Sequence, residues 1–176
     1  MLFLGSVAGC TKKDKYYRFS EKELDFVSYS QGQTLKFLDT LGQVQTVPQL
    51  VYRREMVDVT YWSLWGGREF LEQYEVRYSS GQGISLDVSL EAGSLTSGYG
   101  FSLMVNNFWR DLTPEEEVAS PVPTVINGQT YQNVYTFTAY PTSGGYKKDS
   151  ATVFWNREYG LIQLLYSNGK SITRTD

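Results

Sequence analysis

The chain has 176 residues, 41% hydrophobic and 20% charged, with a net charge of −3 and a pI of about 5.1, which suits one folded domain with its own core. It contains no histidine and a single cysteine; this excludes imidazole acid/base chemistry, imidazole metal sites, an internal disulfide and a cysteine zinc cluster. The acidic balance argues against a nucleic-acid partner, because phosphate binding needs a concentrated basic surface.

The N-terminus reads Met1-Leu2-Phe3-Leu4-Gly5-Ser6-Val7-Ala8-Gly9-Cys10 and then turns abruptly polar at Thr11-Lys12-Lys13-Asp14-Lys15. A short apolar run ending in small residues before a cysteine resembles a bacterial lipobox, with Val7-Ala8-Gly9 ahead of the cysteine that is acylated. On this reading residues 1–9 are a signal segment, Cys10 carries the lipid, residues 10–18 are a polar tether and residues 19–176 form one domain. Three acyl chains would hold the protein firmly to a membrane, where one chain binds only marginally. A signal segment normally opens with Lys or Arg and none precedes the run here, which leaves the true translation start open. The competing reading is a buried N-terminal strand with Cys10 packed as a small hydrophobe.

Ser20 and Glu23 form a capping-box pair, and Leu24 and Val27 lie one turn apart, so a short helix over 20–27 is expected to cover one end of a sheet. The pattern then switches to period two. Strands 34–38 and 43–47 flank Asp39-Thr40-Leu41-Gly42, with Pro48 expected to end the second, and 50–59 is a third candidate. Phe70, Glu72, Tyr74, Val76 and Tyr78 share one face of the next strand, and Ile84–Leu90 returns after Ser79-Ser80-Gly81-Gln82-Gly83. Tyr99, Phe101, Leu103 and Val105 alternate with smaller or polar residues. One apolar face per strand is the signature of antiparallel sheets with a wetted side.

Thr113-Pro114-Glu115-Glu116-Glu117 reads as a second helix start; a carboxylate metal site there is the weaker alternative, because neighbouring acids in a helical turn diverge. Strands 124–126 and 129–140 flank Asn127-Gly128, a strong hairpin signal. Ala151–Trp155, Leu161–Tyr166 and a last strand around Ile172 follow, the final pair joined by Asn168-Gly169. The expected fold is an all-β antiparallel meander, either a sandwich or a partly closed barrel, with one or two short helices.

Two stretches, Asn127-Gly128-Gln129-Thr130-Tyr131-Gln132-Asn133-Val134-Tyr135 and Val153-Phe154-Trp155-Asn156-Arg157-Glu158-Tyr159-Gly160-Leu161-Ile162, resemble lipoproteins of unknown activity common in Bacteroidetes-type bacteria. In those proteins a G-x-x-Y-x-N-V strand precedes a Y-G-L-I strand. The resemblance implies an address in the cell envelope, at the outer membrane, and an all-β domain. It carries no activity and no catalytic residue.

The densest aromatic cluster is Tyr61-Trp62-Ser63-Leu64-Trp65-Gly66-Gly67. Such rings can stack on sugars or dock a protein, making Tyr61, Trp62 and Trp65 the candidate ligand-binding residues; sealing a core is the commoner use of large aromatics. Trp109 and Trp155, at strand ends, are read as core. Glu69, Glu72, Glu75, Asp87 and Glu91 could supply paired-carboxylate chemistry, but cross-strand pairing with Arg68 and Arg77 accounts for them more simply. No nucleophile elbow, phosphate loop or dinucleotide fingerprint occurs, so neither an enzyme nor a cofactor is expected. Asp39-Thr40-Leu41 and Asp149-Ser150-Ala151 match a short O-glycosylation pattern, with Thr40 and Ser150 as acceptors. Two functions remain open: a non-catalytic module binding protein or glycan in the envelope, or a carrier of an apolar ligand inside a barrel.

Overall fold

A computed structural model describes residues 13–60, 67–81, 83–92, 100–112, 120–142 and 149–176. Among the described residues there are twelve strands: β1 (Lys15–Tyr17), β2 (Thr34–Leu38), β3 (Val44–Asp58), β4 (Glu69–Ser79), β5 (Ser85–Glu91), β6 (Phe101–Val105), β7 (Phe108–Leu112), β8 (Val122–Ile126), β9 (Gln129–Pro141), β10 (Ala151–Asn156), β11 (Gly160–Tyr166) and β12 (Ser171–Arg174). The helix among the described residues is α1 (Glu21–Leu24). Its capping box forms as the sequence implies: Ser20 N–H donates to Glu23 Oε2 (2.6 Å) and Glu23 N–H to Ser20 Oγ (3.3 Å). The expected helix at 113–119 lies outside the described residues.

From β2 to β12 the chain runs as an antiparallel meander, with only β8 leaving the path to hairpin onto β9. The meander closes where Thr173 and Arg174 of β12 pair with Leu38 and Phe37 of β2. The result is a closed barrel, not a sandwich, in which each of the ten wall strands has a neighbour on both sides.

Alternation decides what fills it. Leu35, Phe37, Val47, Tyr74, Val76, Tyr78, Leu86, Val88, Leu90, Phe101, Leu103, Val153 and Trp155 all point inward and are almost wholly buried. The segment between α1 and β2 crosses one end as a plug. Phe26 lies 4.7 Å from the Phe101 ring and 5.2 Å from Tyr135, while Tyr29 meets Trp155 edge-on at 5.7 Å. Burying rings of this size contributes roughly 2–3 kcal/mol each.

Three local expectations are corrected. Pro48 does not end a strand: β3 runs through it, because Thr34–Pro48 is the last pair with β2 and a bulge follows as β3 turns to β4, a position where a missing N–H is tolerated. Residues 15–17 are not free tether; β1 runs parallel to β4 and fills the edge of β4 beyond the end of β5. Finally β7, absent from the sequence reading, pairs with both β6 and β9 after a two-residue Asn106-Asn107 turn, with Asn106 left-handed at φ 52°.

An up-and-down meander sends successive connections to opposite ends. The turns after β2, β6 and β11 lie at one end, with the ends of β4 and β9 and the start of β10. The ends of β3, β5 and β7 and the plug lie at the other.

Candidate functional site

The plugged end holds a built polar network. Tyr74 Oη accepts the Tyr29 N–H (3.1 Å) and donates to the Tyr29 carbonyl (3.2 Å), and Tyr29 Oη accepts the Leu161 N–H (2.8 Å). Gln49 donates to Tyr78 Oη (3.0 Å) and accepts the Gly32 N–H. Tyr135 Oη donates to Asp25 at 2.7 Å, and the Trp155 indole donates to the Asp25 carbonyl at 3.2 Å. Burial pushes the Tyr29 and Tyr74 phenols far above their usual range, and Tyr78 and Tyr135 up to about 12. Each phenol therefore stays protonated and serves as a structural donor or acceptor.

The carboxylates fall into pairs. Glu72, nearly buried, is held by Arg54 (3.0 Å) and accepts the Phe19 N–H (3.1 Å). Arg77 meets Asp87 at 2.8 Å and Glu75 at 3.4 Å, Glu69 pairs with Lys15, and Glu91 accepts from Gln73. Pairing with Arg77 was legible in the sequence. The partners Arg54 and Lys15 were not, and Arg68 instead donates its backbone N–H to Asp14. Among the described residues no three His, Cys, Asp or Glu side chains gather as a metal site, and no helix is long and apolar enough to cross a membrane.

Of the residues singled out in the sequence, Cys10, Tyr61, Trp62 and Trp65 lie outside the described residues. Thr40 is exposed in the β2–β3 turn, and Ser150 precedes β10; both candidate glycosylation residues therefore belong to the turn end. Trp155 is core, as expected. Trp109 is not: it is 41% exposed on the outer wall, because the register of β7 turns Phe108, Arg110 and Leu112 inward and Trp109 and Asp111 outward.

Around Trp109 the outer wall forms an open groove of about 450 Å3 lined by Asp87, Ser102, Met104, Trp109, Asp111 and Thr142. Strand pairing arranges these residues as a grid. Asp87 faces Met104, Met104 faces Trp109 and Trp109 faces Tyr140 across four strands, with Ser89, Ser102 and Asp111 in the adjacent row. Thr142 is anchored beside them by its N–H on the Asn107 carbonyl (2.8 Å). The groove combines an aromatic face, a thioether, hydroxyls and two carboxylates, a composition suited to binding a small polar ligand.

Alternate side chains of the two stretches that carry the family resemblance form one packing unit on the outside of the wall. Tyr131 meets Tyr159 edge-on at 5.4 Å, and Val134 packs with Ile162 beneath β8. Gly128 sits in the hairpin turn at φ 81°, and Asn133 at φ 51° takes up the bulge opposite β8. These motifs are structural. Compared with known proteins, the chain matches no family model, and no curated protein or solved structure is detectably similar to it.

Proposed function

We propose that this protein is a lipid-anchored module of the bacterial envelope, held at the outer membrane through Cys10, that binds a protein or glycan partner without catalysis or cofactor. The observation that carries this reading is the filled barrel. An internal space for a ligand would leave accessible area on the side chains around it, and Leu35, Phe37, Val76, Leu86, Val88, Val153 and Trp155 have essentially none. Recognition then falls to the outside, where Trp109 and Met104 stand exposed.

The carrier reading draws on the closed barrel alone. It requires the plug to leave, and the plug is held by Tyr74, Gln49, Leu161 and Trp155. Native mass spectrometry of the full acylated chain, purified in mild detergent, separates the two. The module reading expects only the mass of the acylated chain, whereas a stoichiometric apolar ligand beyond the N-terminal acyl groups would establish a carrier.

A further inference from the structure

We propose that the groove around Trp109 binds a neutral saccharide, an inference that rests on the module reading and names its ligand class. The groove has the right elements at the right spacing. Cross-strand neighbours stand about 5 Å apart and alternate residues along a strand about 7 Å, so Trp109, Met104, Asp111 and Ser102 frame an area the size of one or two sugar rings. A pyranose has an apolar C–H face and a rim of hydroxyls. The face lies against the negative face of the Trp109 indole and the Met104 thioether; the rim meets Asp111, Asp87, Ser102 and Thr142.

Charge narrows the class. Among the described residues no Lys or Arg lines the groove, and the neighbouring Arg77 is taken up by Asp87 and Glu75, so uronates, sulfated sugars and phosphates would face the two lining carboxylates. Asp87 is already offset by Arg77 at 2.8 Å, whereas the Asp111 carboxylate has no ion pair or hydrogen bond among the described residues. A carboxylate without a donor is matched by paired sugar hydroxyls. An extended peptide fits less well, since β5 and β6 are paired on both sides along the groove and β7 is paired with β9 at Phe108 and Trp109, which leaves no edge beside Trp109 for strand addition. The groove also lies toward the turn end of the barrel, opposite the end where β1 begins at Lys15, so a surface holding the N-terminus would leave it open.

Calorimetric titration of the full chain with neutral trisaccharides of glucose, mannose and xylose tests this, with trigalacturonate and tetramethylammonium as charged probes. At least one neutral trisaccharide is expected to bind. Trp109→Ala should weaken it tenfold or more and Trp109→Phe restore most of it, both keeping the wild-type dichroism spectrum. Asp111→Asn should cost several-fold for the neutral sugar while relieving rejection of trigalacturonate. Saccharide binding that survives Trp109→Ala unchanged would overturn the groove and leave the module reading standing. Binding only of trigalacturonate or tetramethylammonium would overturn the ligand class, as would binding of no probe. A stoichiometric internal lipid, by contrast, would overturn the module reading itself.

Discussion

Tyr29 occupies the space that a side chain on Gly160 would need. Gly160 opens β11 with φ 68°, its hydrogen side faces the Tyr29 ring, and the next residue, Leu161, donates its N–H to Tyr29 Oη at 2.8 Å. The glycine of the Y-G-L-I stretch is thus the seat of the plug.

Gly160→Ala should be strongly destabilising, from backbone strain at positive φ and from collision with Tyr29. Those effects together cost roughly 2–5 kcal/mol. Gly128→Ala is the control: it shares the positive φ (81°) but has open space around it, so only about 1–3 kcal/mol of strain should appear. Equal losses in urea unfolding would show that Tyr29 does not bear on Gly160.

A second expectation concerns alkaline pH. Tyr78 and Tyr135 are raised to about 12 and Tyr29 and Tyr74 higher, chiefly by burial. The unfolded chain ionises its tyrosines near pH 10, so above that pH it binds fewer protons than the native state and stability falls as pH rises. The tyrosine contribution should be complete below about pH 10 and lost progressively as pH climbs through 12. Urea midpoints at pH 8, 10 and 11 measure it. An unchanged midpoint at pH 11 would contradict burial of these phenols, and Tyr78→Phe should flatten the decline.

The plug supplies the third. Phe26 lies against Phe101, Tyr135 and Trp155, so Phe26→Ala removes a ring from a packed interior and should cost about 3–5 kcal/mol. Phe26→Leu should cost far less, since volume is largely retained. If Phe26→Ala unfolded at the wild-type midpoint, the segment after α1 would be a loose lid and the filled-barrel argument would fail.

Much of this fold could be read locally. Asn127-Gly128, Asn168-Gly169 and the alternation of Tyr74, Val76 and Tyr78 each carry their own signal over a few residues. The barrel's closure could not, because Leu38 meets Thr173 through a pairing that spans most of the chain. Strand β7 was hidden by its mixed composition, with Trp109, Arg110 and Asp111 at its centre. The groove was hidden for a related reason: Asp87, Met104 and Trp109 come from three strands and become neighbours only once the register is set. Trp109 alone looks like any other tryptophan in a strand, which is why it was expected in the core. Glu72 is legible as a charge on an apolar face, but its partner Arg54 lies on β3, whose course past Pro48 the local pattern does not show.

The last expectation is acylation at Cys10 and its consequence for orientation. Small residues before a lone cysteine motivate it, and β1 gives it geometry. Lys15 is already fixed to the wall beside Glu69, so five residues' reach, about 17 Å at full extension, separates Cys10 from the barrel. An acyl chain at Cys10 would therefore hold the plugged end within roughly that distance of the bilayer, with Thr40, Ser150 and Trp109 toward the far end. A palmitate analogue fed to cells should label the wild type and not Cys10→Ala, and the variant should leave the membrane fraction. Spin labels at Leu41 and Arg157, exposed on opposite ends, then read the orientation in vesicles by paramagnetic accessibility. Arg157 should lie nearer the lipid. Label retained in Cys10→Ala would end the anchor reading, and a Leu41 label closer to lipid than Arg157 would invert the orientation and bury the groove's end against the membrane.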